Sequence, residues 1–242
     1  MGQAILGPIG SLPQPVAGLL FDMGDVIYDT TLWRRWLFQL LRRLGLKTSY
    51  RVFYRVWECD YLADVHRGRR DFREAFQSFL HSVGLGPAQI QELETACMAR
   101  RKRWEDTVRP LPGVRATLIR LHASGSVLGV LTDSEHPSSV LRRQLDRFGL
   151  GRVFPTVLSS IDLRRTKPDA ACYLTALKAM GLCAEQTAYV GHNAEDLAGA
   201  ARLGMHTIGF NCDVDASADV YLARFEDLLT LVSTPLCYAA AG

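Results

Sequence analysis

The chain has 242 residues, 48% hydrophobic and 22% charged, the balance of an ordinary folded protein. With 28 basic against 25 acidic side chains the net charge is +3, which gives no reason to expect a nucleic-acid partner. No apolar run reaches the about 18 residues of a membrane helix, no basic stretch precedes Ile5-Leu6 as in a secretory leader, and Leu6 stands where a myristoylation signal needs Ser or Thr.

Residues 1–15, with Gly2, Gly7, Pro8, Gly10, Pro13 and Pro15, read as a loose arm. The apolar run from Val16 to Phe21 reads as a buried strand that ends on Asp22, Gly24 and Asp25. From Thr31 to about Asp106 the pattern is helical. Leu32, Trp36, Leu40, Leu41 and Leu44 recur on one face, with Gly45 as a stop. Val52, Val56, Trp57 and Tyr61 predict a second helix ending near Gly68. Asp71 is a cap for a third through Phe72, Phe76, Phe79 and Leu80. Pro87 opens a fourth through Ile90, Leu93, Ala96 and Cys97. Four helices without an intervening strand predict an inserted helical domain over 31–106, between core segments 16–30 and 107–242.

From Pro112 helices and strands alternate. Helices are expected from Pro112-Gly113 through Leu121, from Pro137 through Phe148, from Lys167-Pro168-Asp169 through Met180, through Leu197, Ala200 and Leu203, and from Phe225 to Val232. Between them, strands are expected at Ser126–Leu131, Val153–Leu158, Thr187–Gly191 and His206–Phe210. With the first, that makes a mostly parallel five-stranded sheet flanked by helices, an α/β three-layer core with an all-helical insertion. Six cysteines (Cys59, Cys97, Cys172, Cys183, Cys212, Cys237) without a CxxC pair predict reduced thiols in a cytoplasmic setting. Arg100-Arg101-Lys102-Arg103 and the group Arg67, Arg69, Arg70 read as solvated helix faces. Trp33, Trp36, Phe38, Phe53, Tyr54 and Trp57 read as packing within the insertion, part of which could line a substrate pocket.

Ligands of open α/β sheets bind where strands end. Three strand ends here carry polar residues: Asp22, Thr132-Asp133 and His192-Asn193. Lys167 lies in a loop that can reach the same edge. A carboxylate, a hydroxyl, a lysine and a further carboxylate, Asp196, suit phosphoryl transfer. The first attacks phosphorus, the hydroxyl and lysine hold oxygens as charge builds, and the last helps to hold Mg²⁺.

In order and spacing these residues resemble the haloacid dehalogenase superfamily of hydrolases. Phe21-Asp22-Met23-Gly24-Asp25-Val26 is similar to its first motif, Leu131-Thr132-Asp133 to its second and Thr166-Lys167-Pro168-Asp169 to its third. Tyr189-Val190-Gly191-His192-Asn193-Ala194-Glu195-Asp196 is similar to its fourth. The resemblance spans 16–232. It implies a Rossmann-like core with a helical cap, and a hydrolase, in the first place a phosphatase, acting on a small phosphorylated molecule through an aspartyl intermediate. It also implies roles: Asp22 as nucleophile; Thr132 and Lys167 as catalytic groups that also bind substrate, with Asp133 and Asn193; and Asp22, the Gly24 carbonyl and Asp196 as Mg²⁺ ligands.

The sequence departs from the family pattern at two places. Gly24 stands where family phosphatases usually carry the acid that protonates the leaving group, a loss of about 10²–10⁴-fold where that acid is needed. His192 stands where they carry a carboxylate on Mg²⁺, and imidazole is a poorer partner for that hard ion. Two alternatives therefore stand beside the phosphatase: a metal-independent, dehalogenase-like hydrolase and a non-catalytic binding protein of the same fold.

Overall fold

The structure is a computed structural model and describes Leu12 and residues 16–232. The expected arm, apart from Leu12, and Cys237 lie outside the described residues. The other five cysteines are unpaired thiols.

The core is built on β1 (Gly18–Phe21), a fully buried strand at the centre of the sheet. Its neighbours are β2 (Val127–Thr132) and β4 (Thr187–Gly191), both parallel to it: Leu20 stands opposite Gly129 on one side and Tyr189 on the other. Outside these lie β3 (Thr156–Ser159), β5 (His206–Gly209) and β6 (Val220–Tyr221). The order is β3-β2-β1-β4-β5-β6, with every pairing parallel. The α/β class is as expected, but the sheet has six strands rather than five. The added β6 is only two residues long and pairs on one side alone, too short to show a period-2 pattern.

Helices cover both faces. On one, α6 (Val114–Ala123), α7 (Ser138–Arg147) and α11 (Leu228–Val232) bury Leu118, Leu121, Leu141, Leu145 and Leu228 with Phe21, Val130 and Val190. On the other, α9 (Ala170–Met180) and α10 (Ala194–Ala201) bury Tyr173, Leu177 and Leu197 with Leu20, Leu131 and Tyr189. The turn α8 (Ser160–Leu163), too short to carry a helical period, follows β3. Leu174 and Ile119 are exposed, on the outer sides of α9 and α6.

Between β1 and β2 lie α1 (Thr31–Arg43), α2 (Tyr50–Val56), α3 (Ala63–His66), α4 (Phe72–Ser82) and α5 (Pro87–Thr107). One π-helical segment, Trp57–Leu62, joins α2 to α3, so what reads as one helix is a single rod with a widened turn. The Asp71 carboxylate caps α4 by accepting from the amides of Arg73 and Glu74, and α5 starts on Pro87, both as expected. The apolar stripe of α1 differs from the expected one. Trp33, Leu37, Phe38 and Leu41 are buried, while Leu32 is 61% exposed. The larger rings win the inward positions, because they meet Phe53, Trp57 and Phe79 in a separate aromatic core.

Candidate active site

The loop after β1 places Asp22 at the carboxyl end of the central strand, where the amide of Met23 donates to its Oδ1 at 2.7 Å. Asp22 is 6% exposed. Burial alone would raise its pKa. The charges of Lys167 and His192 and the hydrogen bonds from Lys167 and Met23 outweigh that, and the carboxyl lies below its usual range. A buried carboxylate kept ionised is what a nucleophile at this place requires.

Lys167 enters from the loop before α9, with its ammonium buried at the foot of the sheet. Its Nζ lies 2.9 Å from Asp22 Oδ2 and 2.8 Å from Asp196 Oδ2, and donates to the Tyr189 hydroxyl at 3.0 Å. Burial opposes its charge, but Asp196 and Asp22 more than compensate, so the lysine stays protonated well above the usual range. Asp196, in the first turn of α10, is pushed up by burial and by Asp22 in spite of Lys167. Thr132 ends β2, is buried and lines the same cleft. His192 follows β4, with Nε2 3.8 Å from Asp22 Oδ2.

Two residues expected to bind substrate have other partners. Asp133 lines the cleft, but its Oδ1 accepts from the Lys167 amide at 3.2 Å, which ties the lysine loop to the end of β2; burial raises its carboxyl to about 7. The Asn193 side-chain oxygen caps α10, accepting from the amides of Glu195 and Asp196. Gly24 and Asp25 are equally instructive. A Cβ on Gly24 would lie 3.2 Å from the Thr30 methyl, so a side chain there would have to press Thr30 aside by a few tenths of an ångström. Asp25 has φ 57°, a left-handed value that Asp tolerates. Its carboxylate accepts from the amide and hydroxyl of Thr30, both at 2.7 Å, and pairs with Arg34 of α1. It is a structural knot rather than a proton donor.

Above these groups lies a cleft of about 870 Å³ between the strand ends and the helical segment. From the helices it is lined by Trp33, Tyr54, Trp57, Phe72 and Trp104 and by Arg34, Glu58, His66 and Arg101. The expected solvated run 100–103 is therefore corrected at Arg101. Its guanidinium sits over the Phe72 ring and pairs with Glu105 and with Glu135 of the loop after β2, so it faces inward while Lys102 and Arg103 are exposed. The sequence reading also missed Arg34, His66, Glu135 and Tyr189. Tyr189 is a polar-tipped aromatic in an otherwise apolar strand, and that is the signal that could have found it.

Asp22, Asp196 and the Gly24 carbonyl would offer a hard divalent cation oxygen donors alone, the chemistry such an ion takes. Acidic side chains also outnumber arginine and lysine around the cleft, so a cation fits its charge. The set is one carboxylate short, because His192 holds a neighbouring place. Among the described residues, the group of His, Cys and carboxylate atoms that converges within 4.8 Å is Glu105, Glu135 and His136 at the mouth of the cleft, where Arg101 already pairs with both acids.

The family described as haloacid dehalogenase-like hydrolase matches residues 19–210. The chain belongs to that family. As a family member it is similar to the glyceraldehyde 3-phosphate phosphatase of Methanocaldococcus jannaschii, 27% identical over 228 residues that cover 90% of this chain and 97% of the relative. It is also similar to the glyceraldehyde 3-phosphate phosphatase of Pyrococcus abyssi, 28% identical over 200 residues, 79% of this chain and 80% of the relative. Among solved structures, a dehalogenase in an intermediate complex superposes with a TM-score of 0.69 at 20% identity, covering 93% of this chain and all of that one. That likeness shows the fold. The chain is thus a hydrolase of the haloacid dehalogenase type, and no helix among its described residues is long and apolar enough to cross a membrane.

Proposed function

We propose that this hydrolase is a phosphatase acting on a small phosphorylated metabolite, with Asp22 as the nucleophile. The observation that carries the reading is the buried, ionised Asp22 carboxylate, clamped by Met23 and Lys167 at the floor of the cleft. The activities named for the two archaeal relatives support a phosphoryl substrate. The helical segment 31–106 acts as a cap over a core of 16–30 and 107–242 and shapes the substrate pocket. The scattered unpaired thiols support a cytoplasmic setting.

In the reaction an Asp22 oxygen bonds to phosphorus as the bond to the leaving oxygen breaks. The Lys167 ammonium lies beside the attacking carboxylate, and Thr132 offers its hydroxyl to the transferred group. Mg²⁺, held by Asp22, Asp196 and the Gly24 carbonyl, would neutralise phosphoryl oxygens when bound. Water then cleaves the aspartyl phosphate and restores Asp22. With Gly24 where an acid would stand, the leaving oxygen takes its proton from solvent. That selects leaving groups that are weak bases. The same feature supports a second reading, displacement of a halide, which needs no proton.

A panel of phosphomonoesters and 2-halo acids, with Mg²⁺ or chelator and with wild type beside Asp22→Asn, tests the proposal. Phosphate release that disappears in Asp22→Asn is expected. Turnover that survives in the variant sinks the mechanism, and halide release insensitive to chelator turns the assignment to the second reading.

A further inference from the structure

A lysine ammonium has three N–H bonds. In Lys167 all three meet protein acceptors: Asp22 Oδ2 at 2.9 Å, Asp196 Oδ2 at 2.8 Å and the Tyr189 hydroxyl at 3.0 Å. The two carboxylates have roles in the proposed reaction, and the phenol has been given none. Tyr189 lies in the middle of β4, fully buried, edge-on to Tyr173 with ring centroids 5.6 Å apart. Tyr173 in turn donates its hydroxyl to the Asp196 backbone carbonyl at 2.8 Å. The chain makes room for the Tyr189 ring, since a Cβ on Gly191 would lie 2.6 Å from its Cε1. Burial holds the phenol neutral, well above its usual range, so it meets the ammonium as a dipole and not as a third anion.

We infer that Tyr189 is a positioning residue for the proposed phosphoryl transfer, the third leg of a tripod that fixes the Lys167 ammonium against Asp22. The inference rests on the reading of Asp22 as nucleophile and adds what keeps its partner in place. As Asp22 bonds to phosphorus its charge drains away, and its hold on the ammonium weakens. Asp196 and Tyr189 do not change during that step. They keep the cation beside the transferred group when that group carries the most charge, so the benefit falls in the transition state rather than in the bound substrate. A lysine held only by carboxylates would follow whichever of them stayed charged.

Tyr189→Phe keeps the ring and removes one oxygen. With a phosphate ester turned over by wild type, kcat falls about ten-fold, the low end for a hydrogen bond to a charged group. KM stays within about two-fold, as expected for an interaction made in the transition state. The melting temperature stays within about 2 °C, since packing is unchanged. Independently of activity, ¹⁵N NMR of the wild-type chain shows a slowly exchanging lysine ammonium that is lost in Tyr189→Phe. An unchanged kcat, an unchanged ammonium signal, or a loss of kcat matched by a fall in melting temperature overturns the inference. If Asp22→Asn is inactive while Tyr189→Phe is fully active, only the tripod fails. If Asp22→Asn turns over, the nucleophile reading falls and takes the tripod with it.

Discussion

Replacing Lys167 with Met removes the cation and keeps the length of the side chain. Asp22 and Asp196 are then buried beside each other without the cation that pairs with both, and only the His192 imidazole, 3.8 Å from Asp22, remains nearby. Removing one partner of a buried ion pair costs about 3–5 kcal/mol. In a chain of this size each kcal/mol lowers the melting temperature by about 2–4 °C, so a fall of roughly 6–20 °C is expected at pH 8. The sign with pH separates this from a packing defect. In wild type the Asp22 carboxyl lies below its usual range, so its contribution to stability is present above the unfolded pKa of about 3.9 and is lost as pH falls through the lowered native value. Without Lys167, burial and mutual repulsion raise the carboxyls. The pair then binds more protons folded than unfolded, and stability falls as pH rises from about 4 toward 8. Thermal melts of both proteins at pH 5 and pH 8 read this directly. The melting deficit of Lys167→Met should be much larger at pH 8. An equal deficit at both values refutes the argument, because a mere cavity has no protons to exchange.

His192→Asp supplies the missing carboxylate, and calorimetric titration should show Mg²⁺ binding at least about ten-fold tighter than in wild type; unchanged affinity would mean that His192 does not stand at the metal's edge. Gly24→Asp should destabilise by about 1 kcal/mol, because its Cβ meets the Thr30 methyl at 3.2 Å. Adding Thr30→Ser removes that methyl and keeps a hydroxyl for Asp25, so denaturant midpoints should recover. No recovery in the double variant excludes Thr30 as the obstacle.

The three strand ends that carry Asp22, Thr132-Asp133 and His192-Asn193 were legible because each couples an apolar run to polar residues, a change of character visible along the chain itself. The helical insertion was legible for a related reason, since nothing between Thr31 and Asp106 alternates with period 2. Finer features depended on partners far away in sequence. The register of α1 was set by Phe53, Trp57 and Phe79, which decided that Trp33 and not Leu32 turns inward. Arg101 looked like one member of a basic run, and only the approach of Glu135 and Phe72 makes it different from Lys102. Asp133 and Asn193 lie where substrate ligands would be read, yet a loop amide and a helix end take their oxygens. Single positions do not reveal which of their possible hydrogen bonds the fold will use.

Asp25 holds together three parts of the molecule. Its carboxylate binds Thr30 of its own turn and Arg34 of the first inserted helix, and its carbonyl accepts from Asn211 after β5 at 3.0 Å. It stands three residues after Asp22, so the turn that follows Asp22 and the first inserted helix share one anchor. Swinging α1 away from the core would have to break the Arg34 pair at that anchor. Access to the cleft and the setting of the Asp22 turn are therefore mechanically linked: displacing α1 would also cost that turn its Arg34 support.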